Sequence, residues 1–165
     1  MIVVADAGPL VALAAVGHFD LLRHVFGEIV VAPQVWEEVV VRGAGRPGAQ
    51  EASRAAWVKV VGLRDQSLLR VWRGTHRLGS GEAATILLAK ELAAAVALID
   101  ERRARRLAKT EGVPVSGSIA VLESGYRRGE LKDLRRVYAG LLAAGIRVGL
   151  PVLNQSLTDF GLPPL

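Results

Sequence analysis

The sequence predicts an α/β fold with a largely parallel central sheet, and three observations predict it. Short apolar runs of strand length alternate with stretches of helical periodicity along the chain. The runs are almost unbroken Val, Ile, Ala and Leu, as strands covered on both faces require. Most of them close at an acid or a turn residue, after which a helical segment opens.

Taken in order, Ile2-Val3-Val4-Ala5 is the first strand and ends at Asp6. Ala7-Gly8-Pro9 turns the chain into an apolar helix, Leu10 to Val16, with Pro9 suited to its first turn. Gly17 stops it, and Phe19 to Phe26 is a second short helix. Ile29-Val30-Val31-Ala32 is the next strand, followed by Pro33 and a helix from Gln34 to Val41. After the GAGRPG loop, Ala49 to Ala56 reads as weak helix and Trp57 to Val61 as a strand at the sheet edge. Asp65 to Thr75 is assigned to helix. Ser80 is the expected N-cap of a helix opening at Glu82, whose residues Ala83, Ile86, Leu87, Lys90, Glu91 and Ala94 follow amphipathic spacing. Ala95 to Ile99 is a buried strand that ends at Asp100, and Glu101 to Arg106 opens another helix. Val113-Pro114-Val115 is a last short strand. Ser116-Gly117-Ser118 leads into a helix reaching Arg128, Asp133 to Ala144 is a further helix, and the tail from Leu150 adds one more turn.

The 165 residues suit one domain, 1–165, burying roughly two-thirds of its unfolded surface. With no cysteine there is neither a disulfide frame nor a thiolate metal site. The apolar N-terminal run lacks a basic flank and carries Asp6, unlike a signal peptide, and no segment reaches the ~20 apolar residues of a membrane span. A soluble, cytoplasmic protein is expected. Its net charge of +5 and pI near 10.2 favour a polyanionic partner such as RNA.

Helices begin where parallel strands end, so the acids at those junctions share the carboxyl edge of the sheet, where such folds put their sites. Asp6, Glu82 and Asp100 belong there, with Glu37 or Glu38 early in the helix after the second strand. Each has a structural explanation alone: Asp6 as a turn residue, Glu82 as a dipole-complementing acid, Asp100 as a cap, Glu38 as a partner for Arg42. Four together point further. Gathered carboxylates repel unless a cation sits among them, and all-oxygen donors suit Mg²⁺ or Mn²⁺. Such sites serve phosphoryl chemistry. His18, His24 and His76 are scattered and read as surface or core. Two rival chemistries fail on sequence. Gly8 stands where an Asp-x-Asp phosphatase needs its second acid, and Gly79-Ser80-Gly81 lacks the Gly-Lys-Ser/Thr of a P-loop.

The segments VVADAGPLVALAAVGHFDLL, IVVAPQVWEEVV, LGSGEAATILLAKEL and ALIDERRARRLAKTEGVPVSGSIAVL, in this order and spacing, resemble PIN-domain proteins. The chain is similar to the VapC ribonuclease toxins and nearest to a prokaryotic PIN-like subfamily with Gly-Glu at Gly81-Glu82, where typical VapC toxins carry Asp. The resemblance spans about residues 2 to 150. It implies a three-layer, Rossmann-like α/β/α fold and metal-dependent endonucleolytic cleavage of RNA. It places the catalytic and metal-binding acids at Asp6, Glu38, Glu82 and Asp100, with Glu37 in reserve. A homodimer and a small antitoxin partner are further implications.

Arg102, Arg103, Arg105 and Arg106 surround a helix that starts beside Asp100, and as a set they suit an RNA backbone. Ser118, at a helix start facing the site, is either a phosphate contact or a plain cap. Trp36, Trp57 and Trp72 could stack bases, although packing is the simpler role.

Overall fold

The computed structural model describes all 165 residues. The chain runs β1 (Val3–Ala5), α1 (Ala7–Ala15), α2 (Leu21–Phe26), β2 (Ile29–Val31), α3 (Pro33–Trp36), a π-helical turn (Glu37–Val41), α4 (Ala49–Arg54) and β3 (Val58–Val60). It continues through α5 (Ser67–His76), α6 (Ser80–Glu91), β4 (Val96–Leu98), α7 (Arg102–Thr110), β5 (Val115–Ser116), α8 (Ser118–Arg127), α9 (Leu134–Ala143) and α10 (Leu150–Asp159). The five strands form one sheet in the order β3-β2-β1-β4-β5, parallel throughout. Helices cover both faces in a three-layer α/β/α arrangement. On one face α6 packs on β1 and β4 and meets α3, α5 and α7. On the other, α8 gathers α1, α2 and α9. No helix is long and apolar enough to cross a membrane.

The strand order decides where the chemistry can sit. From β1 the chain first builds outward through β2 and β3, then returns to lay β4 and β5 on β1's other side. The crevice between the carboxyl ends of β1 and β4 is therefore the switch point of the sheet, where open α/β sheets bind ligands. Ala5 pairs with Leu98 there, and the Asp6 N–H donates to the Leu98 carbonyl at 2.9 Å.

Several elements depart from the sequence expectations for identifiable reasons. Helix α1 begins at Ala7 instead of Leu10, because Pro9 sits in the first turn, where its missing N–H costs nothing. The helix expected over 34–41 is divided: Arg42 N–H bonds five residues back to the Glu37 carbonyl, so its second half is π-helical. Helix α6 is more than amphipathic. Ile86 and Leu88 are fully buried, as are Ala83 and Ala84, because α3, α5 and α7 enclose it beside the sheet. Burying each large aliphatic here contributes about 1.5–3 kcal/mol. Its N-cap is Gly79, not Ser80.

Strand β5 starts at Val115, two residues later than expected. Gly112, at φ +74°, ends α7 in a motif that commits the Val113 N–H to the Ala108 carbonyl, and Pro114 has none to give. The C-terminal turn is a full ten-residue helix, α10, because Leu153 and Leu157 bury one face completely and Pro151 fits its first turn. Its Ser156 hydroxyl bridges Tyr138 of α9 and Glu123 of α8, both at 2.6 Å. That burial pushes the Tyr138 phenol up to about 12.

Candidate active site

Asp6, Glu38, Glu82 and Asp100 line one open cleft of about 800 Å³ at the switch point. Strand β1 delivers Asp6 into the protein: it is only 5 % exposed, in extended backbone just before α1. Burial raises its carboxyl to about 7, partly offset by the adjacent Ala7 N–H and reinforced by Glu82, Glu38 and Asp100. A carboxylate there lacks a compensating cation within the chain, which matches the chemistry of an all-oxygen cation site.

Strand β4 delivers Asp100, and Ser118 fixes it. The Ser118 N–H donates to Asp100 Oδ1 at 2.7 Å and its hydroxyl donates to Oδ2. Of the two roles the sequence leaves open for Ser118, phosphate contact or plain cap, the structure shows neither: both its donors bond Asp100, its side chain is buried, and Gly117 is the N-cap of α8. Gly117 makes this packing possible, since a Cβ there would lie 2.6 Å from Asp100 Oδ1 and 2.9 Å from an Arg105 nitrogen. The helix cap beside it is Glu101, not Asp100: its carboxylate accepts the Ala104 N–H at 2.8 Å.

Glu38 comes from the π-helical turn, where bonding five residues back instead of four resets the faces its residues present. A Cβ built on Gly81 would lie 3.0 Å from Glu38 Oε2 and 3.6 Å from Asp6 Oδ1, so this glycine lets the two carboxylates approach one another. Glu37 does not line the cleft, and Glu38 forms no ion pair with Arg42.

Glu82 is half-buried, and its Oε2 accepts the Gly79 N–H at 3.0 Å, capping the start of α6. Burial raises its carboxyl, offset by Gly79, raised further by Glu101 and Glu38, and lowered by Arg103. With Glu82 turned back to its own helix and Glu38 exposed, no three acids converge closely enough to hold an ion without side-chain movement. The cap is separable from the charge. Glu82→Gln keeps an acceptor for Gly79 whereas Glu82→Ala does not, so the glutamine variant should be the more stable by about 1 kcal/mol. Thermal melts in EDTA should therefore separate the two by ~2–4 °C. Equal midpoints would mean the hydrogen bond adds nothing.

The α7 arginines divide. Arg102 lines the cleft and Arg103 acts on Glu82, but Arg105 donates to the Ile99 carbonyl at 2.8 Å and clamps the end of β4. Arg106 is exposed outside the cleft lining. Sequence reading missed Arg73 and Arg147, which line the cleft from α5 and the α9–α10 loop, and weighed Arg42 only as a partner for Glu38. No local signal marks them, because all three are exposed arginines and an exposed arginine needs no special neighbours. The tryptophans pack: Trp57 lies against Phe19, and Trp72 against His76 and Lys90. His24 bonds to Glu130 at 2.6 Å, away from the cleft.

An all-parallel α/β/α sheet that gathers carboxylates at its switch point is the architecture of the PIN domain. The chain belongs to that family: the model DUF3368, described as a PIN domain, matches residues 2–161. PIN domains are generally nucleases. A search of the curated proteins found no match.

Proposed function

We propose that the protein is a metal-dependent endoribonuclease that hydrolyses RNA phosphodiester bonds, acting as the toxin of a toxin–antitoxin pair. The observation that carries this reading is the meeting of Asp6 and Asp100 on neighbouring strand ends, with Glu38 and Glu82 around the same cleft, in a member of a nuclease family.

Asp6, Glu38, Glu82 and Asp100 are the residues that would hold Mg²⁺ or Mn²⁺. Such an ion supplies charge neutralisation for the scissile phosphate and acidifies water for attack on phosphorus. The chain divides the task of holding it. Asp6, buried, and Asp100, bonded twice to Ser118, are the fixed half of the set. Glu38 and Glu82 are longer and less buried, and they are the adjustable half. Arg102 and Arg103 bring positive charge to the phosphate from the opening of α7, while Arg105 and Ser118 hold the end of β4 and its acid. A homodimer and a small antitoxin protein are the partners proposed, both on the resemblance to VapC toxins.

The second reading is a PIN-like module that binds RNA or a partner protein without cutting. It draws on the turn of Glu82 toward Gly79, which leaves the acids unconverged. Incubating purified protein with mixed cellular RNA in Mn²⁺, Mg²⁺ or EDTA separates the two. Cleavage is expected with either metal and not with EDTA. RNA left intact under all three conditions would favour the binding module.

A further inference from the structure

The cleft that carries the acids also carries arginines from four separate elements. Arg42 follows the π-helical turn, Arg73 lies on α5, Arg102 opens α7, and Arg147 stands in the loop between α9 and α10. None of the four makes a side-chain hydrogen bond or ion pair within the chain. Other arginines do: Arg105 holds a strand-end carbonyl, Arg127 pairs with Glu123, Arg128 reaches the His24 carbonyl, and Arg135 grips the Pro164 carbonyl with two nitrogens. The cleft arginines thus keep their planar forks free for an external acceptor.

Their placement follows from the topology. Arg42 belongs to the connection after β2 and Arg102 to the one after β4, on opposite sides of β1 and Asp6. A chain of phosphates crossing the acids would meet positive charge before and after them.

Arg147 stands in a loop that is tied at both of its ends. Gly145, at φ +75°, ends α9: its N–H bonds to the Leu142 carbonyl at 3.1 Å, and the Ile146 N–H to Leu141 at 3.0 Å. Two residues past Arg147, Gly149 caps α10. That helix is tied to α8 and α9 through Ser156, and the chain after it is tied to α9 through Arg135. The loop of residues 145–149 is therefore anchored at both ends, and its path into the cleft is set before any ligand arrives.

We infer that Arg147, together with Arg42 and Arg73, is a set of positioning residues that bind the substrate phosphates flanking the scissile one. The α10 helix is the strut that holds the Arg147 wall of the cleft in place. This rests on the nuclease reading proposed above.

The test is the salt dependence of binding. A fluorescently labelled single-stranded RNA is titrated in EDTA over a range of KCl concentrations, and affinity is read by anisotropy. Arg42→Gln, Arg73→Gln and Arg147→Gln should each flatten the slope of log affinity against log salt by ~0.7, and the triple variant by ~2. Arg147→Lys keeps the charge and should restore the slope. Arg136→Gln, on α9 outside the cleft, should match wild type. With Mn²⁺ present, the triple variant should raise KM and leave single-turnover kcat at saturating RNA within a few-fold. Melting temperatures should not change, since none of the three has a partner to lose. A triple variant with the wild-type slope and KM would overturn the inference and leave the nuclease reading standing. Wild-type protein that neither binds nor cuts RNA would overturn both.

Discussion

Asparagine at Asp6 or Asp100 is expected to lower RNA cleavage by ~100-fold or more, the scale of losing a principal electrostatic stabiliser of the transition state. Binding should survive. Asparagine matches aspartate in shape, so at position 100 its carbonyl can still accept the Ser118 N–H, and the Ser118 hydroxyl can rotate to accept from the amide. What is lost is the charge that would hold a divalent cation. Anisotropy in EDTA should even show tighter binding, because the phosphates no longer face a full set of carboxylates. Glu38→Gln and Glu82→Gln should cut slowly as well. Glu37→Gln is the control: Glu37 stays outside the cleft lining, and its variant should cut at the wild-type rate. Single-turnover rates at saturating Mn²⁺ measure all of this. If wild type cuts no faster than Asp100→Asn, the acids have no catalytic part and the binding module is the better reading.

The second large effect is on stability without metal. Burial pushes the Asp6 carboxyl up to about 7 in the folded protein, against 3.8 when unfolded. Between those values the folded state holds a proton that the unfolded state has released. Stability therefore falls as pH rises through this window, and levels off above about 7. That difference is worth about 4 kcal/mol. Glu82 is shifted in the same direction and adds to the fall. His18, lowered by burial, acts oppositely: its contribution is lost as pH falls through its range and is present above it. The difference between wild type and Asp6→Asn removes both background effects to first order. Denaturant unfolding in EDTA should show the asparagine variant gaining on wild type from pH 4 to about pH 7 and keeping that gain at pH 8. Millimolar Mn²⁺ at pH 8 should recover most of that gap for wild type and do little for the variant. A wild-type-to-variant difference that does not change with pH would show that Asp6 titrates normally and is not deprived of a countercharge.

Much of this site could be read before the chain was folded. Apolar runs must be covered and an acid cannot continue them, so Asp6 and Asp100 announce themselves as strand ends. Gly79-Ser80-Gly81 announces a helix start, and with it Glu82. Local chemistry sufficed for these because each depends on a few neighbouring residues. The same locality explains the errors at element ends. Whether Gly79 or Ser80 caps α6, or whether Val113 joins the sheet, turns on which backbone N–H is already committed.

The sequence alone determined an alternating α/β chain whose acids fall at the junctions where parallel strands give way to helices. It could not order the strands. That β1 and β4 are neighbours, so that Asp6 and Asp100 meet at the switch point, is decided by long-range pairing across the sheet. Nor could it choose among the arginines. An exposed arginine costs little wherever it points, so no local pattern separates Arg42, Arg73 and Arg147 from the rest. Only the packing of α5, of the π-helical turn and of the anchored α9–α10 loop around the carboxyl edge turns those three toward the acids.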